Sequence, residues 1–349
     1  MRASLGPRAA RCQEFPFPEK LAPATLRAFS QPPRRMIKNL LKKILPAFTW
    51  NQDARQRLLQ RIMDSAGYTI ARKTDYYSPL PSLPDLQAKS KRWNRPGGLH
   101  GIRYDLADME ARLTDLLARY LEEFAALPPY PEMQLAGFGP GYTAVDALTL
   151  YAMIRHLKPA RYLEVGSGLS TYYCSMAAER NAREGRPLRI TCIEPHPFAK
   201  LHTIPGIEVI AREVQDTDLA RFGELQPGDV LFIDSSHIVK IDGDVPFLFL
   251  EVLPVLNVGV KIHIHDVPFP YNIPYPPKLW IFGHVWPVFW NEAMLLQAFL
   301  CFNDNFQIEI STPLIRHFDE PFLRRSIPGY QSIEENPNAF SSLWLARVS

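Results

Sequence analysis

The sequence has few cysteines, and their positions exclude two kinds of stabilising cross-link. Only four occur in 349 residues, at Cys12, Cys174, Cys192 and Cys301. They form no Cys-x-x-Cys pair, so the pattern supports neither a disulfide framework nor a structural zinc site. Cysteines used in this way are typical of a reducing compartment, and we predict a cytoplasmic protein.

Strong charge and long apolar runs are also lacking. The net charge is only +3, and positive charge is not concentrated in the putative catalytic half of the chain, so nothing suggests a nucleic-acid partner. The most apolar stretch, Val245 to His265, is interrupted by Glu251, Pro254, Gly259 and Lys261. A helix followed by a strand explains it better than a transmembrane span does. With 46% hydrophobic residues, the chain can bury one large core beside an appended region.

The most informative stretch runs from Arg161 to Thr171, Arg-Tyr-Leu-Glu-Val-Gly-Ser-Gly-Leu-Ser-Thr. It predicts a buried parallel strand, then a tight turn at Gly166, Ser167 and Gly168, then a helix. Ser170, with the threonine that ends the stretch, can cap the free amides of that helix. The arrangement is typical of a nucleotide-type site.

Two ligands compete for this turn. A dinucleotide requires a third glycine, and its pyrophosphate binds backbone amides at the helix N-terminus with no carboxylate nearby to repel it. Here Thr171 occupies the third glycine position, and Glu164 precedes the turn. S-adenosylmethionine carries a sulfonium and an ammonium, which a carboxylate attracts. Charge therefore favours the methyl donor, and an oxidoreductase that binds NAD remains the alternative.

Two further positions fit a nucleoside. Glu194 follows the apolar run Ile190 to Ile193 and lies 28 residues beyond Gly166, where a carboxylate can bind ribose hydroxyls. Val214 to Asp216 follows a predicted third strand, and Gln215 is the candidate to accept from an adenine amine.

At this point the chain resembles the class I S-adenosylmethionine-dependent methyltransferases. The resemblance runs from about Phe138 onward and is carried by Leu163 to Gly168, Ile193 to Pro195, Phe232 to His237 and His263 to Asp266. The last two motifs resemble a subgroup of bacterial small-molecule enzymes that often uses a divalent metal. The resemblance implies an α/β, Rossmann-like sheet of seven mostly parallel strands with helices on both faces.

The predicted fourth and fifth strands both end in aspartate, Asp234 and Asp266, and neighbouring strands would bring these carboxylates together. His237 is the predicted base, because an imidazole suits proton abstraction at neutral pH. The resemblance implies that Asp234 and Asp266 hold a metal, with His265 where a second oxygen ligand often lies. An imidazole there shifts the preference from Mg²⁺ toward Mn²⁺, Fe²⁺ or Zn²⁺. The alternative is that Asp234 caps the next helix and Asp266 orients His237.

The pattern divides the chain into a disordered leader (1–35), a helical and lid region (36–135) and a methyltransferase domain (136–349). A helix at residues 36–48 has an apolar face and three lysines. Packing on its own domain is favoured over peripheral contact with an anionic membrane. Tyr76 and Tyr77 are lid candidates.

Other expectations concern the acceptor and the ends of the donor. Thr143 and Asp146 precede the first strand as donor-site candidates, with helix capping as their alternative role. An aromatic insertion at residues 267–290 is placed to shape an acceptor pocket. The sequence thus predicts O-methylation of a small hydroxylated acceptor, a sugar or a secondary metabolite. A non-catalytic donor-binding protein at a membrane is a further alternative, and a homo-oligomer is left open.

Overall fold

A computed structural model describes residues 52–72, 76–138, 141–336 and 340–349. The chain divides into two units, residues 1–72 and 73–349. In the first unit, helix α1 (Gln52–Ser65) ends in a turn that is closed by the Tyr68 amide donating to the Met63 carbonyl. The predicted leader at residues 1–35 and the predicted basic helix at residues 36–48 lie outside the described residues.

The second unit is built on a seven-stranded sheet. Its strands are β1 (Arg161–Val165), β2 (Arg189–Ile193), β3 (Ile207–Ile210), β4 (Val230–Ile233), β5 (Lys261–Ile264), β6 (Phe306–Ser311) and β7 (Leu343–Arg347). They lie in the order β3-β2-β1-β4-β5-β7-β6, and β7 alone runs antiparallel to its neighbours. The predicted Rossmann-like fold is confirmed.

Helices connect and cover these strands. The α-helices are α2 (Leu83–Ala88), α3 (Ser90–Trp93), α4 (Leu106–Ala125), α5 (Tyr130–Leu135), α6 (Ala144–Leu157), α7 (Leu169–Arg183), α8 (Ala220–Gly223), α9 (Asp244–Phe247), α10 (Leu253–Val255), α11 (Pro277–Trp280), α12 (Glu292–Leu300) and α13 (Thr312–Ser326). Short 3₁₀ turns at Ala199–Thr203 and Val214–Asp216, and a π-helical segment at Leu248–Val252, complete the set. None of the helices in the described ranges combines the length and apolar character needed to cross a bilayer.

Alternation along the strands gives the sheet two buried faces. Tyr162 and Phe232 belong to one core cluster together with α6 and α7. Leu163 and Leu231 belong to the other, with residues 245–256. Because successive side chains of a strand point to opposite faces, each strand supplies both clusters. Apolar residues on both faces of β4 explain why this strand is a continuous hydrophobic run.

Helix α13 forms although its sequence contains two prolines, Pro313 and Pro321. Pro313 lies in the first turn, where a missing amide hydrogen costs nothing. The Ser311 hydroxyl caps the helix by accepting from the Leu314 amide. Pro321 falls beside a break in the helical backbone at Asp319, so the chain bends there and continues.

Strand order decides where a ligand can bind. The chain leaves β1 toward β2 and β3 on one side and returns to β4 on the other side of β1. Such a reversal leaves a crevice beyond the carboxyl ends of the two central strands. The turn after β1 and the loop after β4 meet at this point.

Candidate active site

The glycine turn after β1 has almost no room for side chains. Gly166 has φ +78°, and a Cβ atom there would lie 1.9 Å from the carbonyl oxygen of Asp234. A Cβ on Gly168 would lie 2.6 Å from the carbonyl oxygen of Phe138. Both glycines are therefore required by close backbone approach, and the first also by its left-handed conformation. The turn is in contact with the end of β4.

Glu164 lies beneath this turn rather than on its open side. The side chain is fully buried, and its two carboxylate oxygens accept hydrogen bonds from the hydroxyls of Ser170 (2.6 Å) and Thr171 (2.5 Å). Thr171 also accepts from the Gly168 amide at 3.1 Å. Burial raises the pKa of Glu164 to about 7, so its charge near neutral pH depends on conditions. Of the two hydroxyls that were expected to cap helix amides, that of Thr171 accepts from the N-cap amide of Gly168, and both hydroxyls donate to the Glu164 carboxyl group.

Glu194 lies beside the turn, as the nucleoside prediction requires. Its carboxylate accepts from the amide of Ser167 at 3.2 Å and from the amide of His196 at 2.8 Å. Gln215 follows β3 at the same edge of the sheet. Its amide nitrogen donates to the Glu213 carboxylate at 2.8 Å and to the Asp242 carbonyl at 3.1 Å. The roles of Glu194 and Gln215 toward a cofactor stay predictions.

Several buried oxygens at this edge have no hydrogen-bond partner within the described part of the chain. They are the hydroxyls of Ser167, Thr217 and Ser235 and the amide oxygen of Gln215. They follow β1, β3 and β4, the strands whose ends border the crevice. Buried polar atoms are nearly always satisfied in native proteins, so this group fits a polar ligand lying across the three strand ends.

A second group of side chains gathers around His237. Its Nε2 lies 3.3 Å from Asp234 Oδ1 and 3.4 Å from Asp266 Oδ2. Its Nδ1 lies 2.7 Å from Glu292 Oε2, a bond between two side chains that are almost fully buried. Asp234 and Asp266 thus meet, as expected of neighbouring strand ends. The loop after β4 is closed by Asp244, whose carboxylate accepts from the Ser236 amide and hydroxyl, so Asp234 does not cap that helix.

His265 and Asp146 lie behind this group. His265 Nδ1 is 3.4 Å from Asp234 Oδ1, and its Nε2 is 3.3 Å from Asp146 Oδ2. Asp146 also accepts hydrogen bonds from the hydroxyls of Thr143 and Ser342, both at 2.6 Å. Thr143 additionally caps α6 by accepting from the Asp146 amide. Among the described residues, the side chains whose ligand atoms lie within 4.8 Å of one another are Asp234, His237 and Asp266, so this geometry offers His237 where the sequence suggested His265.

The combined cluster is rich in negative charge. Four carboxyl groups and two imidazoles would carry a net charge of −2 if all were ionised, a balance that suits a divalent cation or a cationic substrate. Burial lowers the pKa of His237, but the surrounding carboxylates outweigh it and raise that pKa well above its usual value. Burial raises the pKa of Asp266 and of Glu292. The surrounding carboxylates therefore favour the protonated form of His237, and this histidine can accept a proton from a substrate only after it has released its own.

The aromatic insertion at residues 267–290 covers one side of His237. The Trp290 ring centroid lies 4.6 Å from the His237 ring and 5.6 Å from that of Trp280. The preceding segment packs onto the insertion, with Trp93 and Phe282 in ring contact and the Gly97 amide donating to the Pro270 carbonyl at 2.6 Å. The lid candidates Tyr76 and Tyr77 are 92% and 87% exposed, so they do not pack into the core.

Part of the chain is similar to a known protein family. Residues 163–267 match the family model described as a methyltransferase domain, a range that spans the glycine turn, Glu194, Asp234, His237 and Asp266. The chain contains a methyltransferase domain. An uncharacterised protein of Archaeoglobus fulgidus is 26% identical over 162 residues, which cover 43% of this chain and 72% of the relative.

Solved structures that resemble the methyltransferase include two O-methyltransferases. The Streptomyces achromogenes enzyme TomG, involved in tomaymycin synthesis and solved with S-adenosylmethionine, is 15% identical, with 71% of this chain and 92% of TomG covered and a TM-score of 0.36. A Bacillus cereus O-methyltransferase solved with S-adenosylhomocysteine is 14% identical, with 67% and 91% covered and a TM-score of 0.37.

Glu292 is the residue of this methyltransferase site that sequence reasoning missed. It lies 55 positions beyond His237 and opens an otherwise apolar helix. The available signal was its position: a glutamate on the buried face of α12 requires a partner, because an isolated buried charge is costly. The amides of Asn291 and Glu292 both donate to the His237 carbonyl, so the start of α12 holds the histidine by backbone and side chain together.

Proposed function

We propose that the methyltransferase transfers a methyl group from S-adenosylmethionine to a hydroxyl oxygen of a small acceptor. The observation that carries the proposal is the contact between Gly166 and the Asp234 carbonyl. Because of that contact, a donor seated on the glycine turn would lie directly beside the carboxylate and histidine cluster. Methyl transfer is an in-line displacement that depends chiefly on positioning, so a shared edge for donor and acceptor is its main requirement.

The donor would lie across the ends of β1 to β4. Glu194 would accept from the ribose hydroxyls, and the Gln215 amide oxygen, which is buried and has no partner among the described residues, would accept from the adenine amine. Ser167 and Ser235 offer further unpaired hydroxyls for the remaining polar groups. The donor's positive sulfonium would be drawn toward the net negative charge around Asp234.

An alcohol or phenol must lose its proton before or during transfer, and His237 is the proposed acceptor of that proton. Its Nδ1 is engaged by Glu292, so Nε2 is the nitrogen that remains for proton transfer. Asp234 and Asp266 flank Nε2 at 3.3 and 3.4 Å and would stabilise the imidazolium that results. A substrate hydroxyl would have to enter between these carboxylates to reach it.

The same side chains fit a divalent cation. Two carboxylate oxygens and one imidazole nitrogen within 4.8 Å of one another can converge on one ion, and this set favours Mn²⁺, Fe²⁺ or Zn²⁺ over Mg²⁺. Asp234 and Asp266 would hold the ion, with His237 or His265 as nitrogen ligand. Such an ion would polarise the acceptor hydroxyl. One nitrogen cannot bind a cation and take a proton, so His237 serves as base only if it is not a ligand.

Two measurements test the proposal. Calorimetry with S-adenosylhomocysteine and with NADH is expected to give binding of the first and none of the second; the reverse result would refute the methyl donor. A panel of phenols, catechols and sugars is then assayed by release of S-adenosylhomocysteine, before and after dialysis against EDTA. Turnover that survives EDTA assigns deprotonation to His237, whereas loss that Mn²⁺ restores assigns it to the metal.

A further inference from the structure

Arg316 of α13 lines a small surface pocket close to the carboxylate and histidine cluster. The pocket has a volume of about 70 Å³, enough for a few water molecules or one compact polar group. Its other walls are formed by residues at the start of α6, among them Ala144 and Val145, and by residues between α13 and β7, among them Gly329 and Phe340.

Arg316 has few direct partners among the described residues. One N–H group donates to the Phe340 carbonyl at 3.3 Å, and the guanidinium lies over the Phe340 ring at 4.6 Å. No carboxylate of the described residues lies within ion-pair distance of it. A guanidinium carries five N–H donors, so most of the donors of Arg316 are not used by the described residues. Burial lowers the pKa of Arg316, an effect that the nearby charges of Asp146 and Glu320 offset only in part, and the side chain is half-buried at the pocket.

The acidic groups nearest to Arg316 are engaged with other partners. Asp146 pairs with His265 and accepts from Ser342. Glu320 accepts from the Tyr330 hydroxyl at 2.8 Å. A structural arginine of the same chain looks different: Arg155 is buried and binds the carboxylates of Glu123 and Glu184 at 2.6 and 2.5 Å. Burying a charge without such pairing is unfavourable unless a ligand supplies the counter-charge.

The pocket and the cluster are connected through neighbouring residues of the chain, because Phe340 lines the pocket and the next residue contacts the cluster. Phe340 is followed by Ser341, whose hydroxyl donates to Asp266 at 2.9 Å and whose amide donates to Asp146 at 3.1 Å. The opposite wall is the first turn of α6, a 14-residue helix whose N-terminus is positive. A positive pocket therefore adjoins a negative cluster, and a molecule with a hydroxyl and an anionic group could span the two.

We propose that Arg316, with the first turn of α6, binds an anionic group of the methyl acceptor, so that the substrate is a small hydroxylated carboxylate, phosphate or sulfate. The inference rests on the proposed function and narrows its substrate class. The anion would pair with the guanidinium while the hydroxyl reaches Asp266 and His237. An arginine presents parallel donors that match such groups in a bidentate manner, which fixes the orientation of the substrate.

The test uses inorganic phosphate as the probe and the full chain as the sample. Wild-type protein is labelled with phenylglyoxal, with and without millimolar phosphate, and modification is read at each arginine by mass spectrometry. Phosphate is expected to protect Arg316 and not Arg324, an exposed arginine of the same helix that pairs with Glu335. Equal labelling of Arg316 with and without phosphate would overturn the inference, and this arm needs no variant to fold.

A second arm compares Arg316→Gln with the control Arg324→Gln by phosphate calorimetry. Loss of a charged hydrogen-bonding partner is expected to weaken phosphate binding about tenfold in the first variant and to leave it unchanged in the second. Equal affinities in both variants would contradict the inference. Repeating the titration with acetate and sulfate then ranks carboxylate, phosphate and sulfate acceptors.

Parallel calorimetry with S-adenosylhomocysteine separates the two proposals. If S-adenosylhomocysteine binds and phosphate does not protect Arg316, only the inference about the anion site fails. If phosphate protects Arg316 and S-adenosylhomocysteine does not bind, the proposed function fails and the anion site is supported.

Discussion

Replacing Glu164 by glutamine is expected to remove a pH dependence of stability that amounts to about 3 kcal/mol. Burial raises the pKa of this glutamate from 4.5 to about 7 in the folded chain. Each pH unit of difference between folded and unfolded pKa values corresponds to about 1.4 kcal/mol. The proton is held more tightly by the folded state, so the contribution is complete below pH 4.5 and is lost as the pH rises toward 7.

The measurement is urea unfolding of wild-type protein and of Glu164→Gln at several pH values between 4.5 and 8. The difference between their free energies of unfolding isolates Glu164, because the other titrating groups cancel. It should change by about 3 kcal/mol in favour of the variant over this range. Glu179→Gln is the matched control: Glu179 lies on the exposed face of α7, and its difference from wild type should stay nearly constant with pH. A flat difference for Glu164→Gln would refute the reasoning.

The same variant tests whether the buried charge selects a cationic donor. S-adenosylmethionine carries a sulfonium and S-adenosylhomocysteine does not, so ionisation of Glu164 should favour the former. We expect the ratio of their affinities to rise as the pH increases through 7 in wild-type protein and to stay constant in Glu164→Gln. The same rise in both proteins would show that another group makes the distinction.

The remaining predictions concern the turn, the cation site and the partner of His237. Gly166→Ala should abolish binding of S-adenosylhomocysteine in calorimetry, because the added Cβ would clash with the Asp234 carbonyl. The control is Gly206→Ala, a position with a similar φ of +75° and open space around it. This control should lose only about 1–3 kcal/mol of stability in a thermal melt, through backbone strain, and should retain binding. Asp234→Asn and Asp266→Asn should each lose Mn²⁺ binding in a calorimetric titration, whereas the exposed Asp304→Asn should bind like wild type; equal binding by all three would exclude the cluster as the cation site. Glu292→Gln removes a carboxylate that raises the pKa of His237, so the acidic limb of the metal-free pH-rate profile should move to lower pH. An unchanged limb would mean that His237 is not the group that titrates.

Much of the fold could be predicted because its determinants are local. The strands around Leu163 and Leu231 are short, largely apolar segments followed by turn residues, and a strand was predicted at both places. The turn could be predicted because the positions of Gly166 and Gly168 admit nothing larger. The meeting of Asp234 and Asp266 followed from a general property of parallel sheets: their carboxyl ends share one edge.

What could not be predicted depends on contacts between distant segments. The direction of the Glu164 side chain is set by Ser170 and Thr171, and a sequence pattern alone does not tell whether a carboxylate faces a ligand or a helix. The Glu292 contact with His237 exists only because α12 begins at the edge of the sheet. Helix α13 is hard to recognise in the sequence for a different reason. Its two prolines disfavour a helix, and the capping contact of Ser311 with the Leu314 amide is visible only in the structure.

The position of β7 has a consequence for the order in which the protein can be completed during synthesis. This strand is made after β6 yet lies between β5 and β6. Ser341 and Ser342, which bind Asp266 and Asp146, immediately precede it. Until these residues have left the ribosome, β5 has an unpaired edge, and the hydroxyls of Ser341 and Ser342 cannot yet donate to Asp266 and Asp146. The nascent chain is thus expected to form the glycine turn while the carboxylate and histidine cluster is still incomplete.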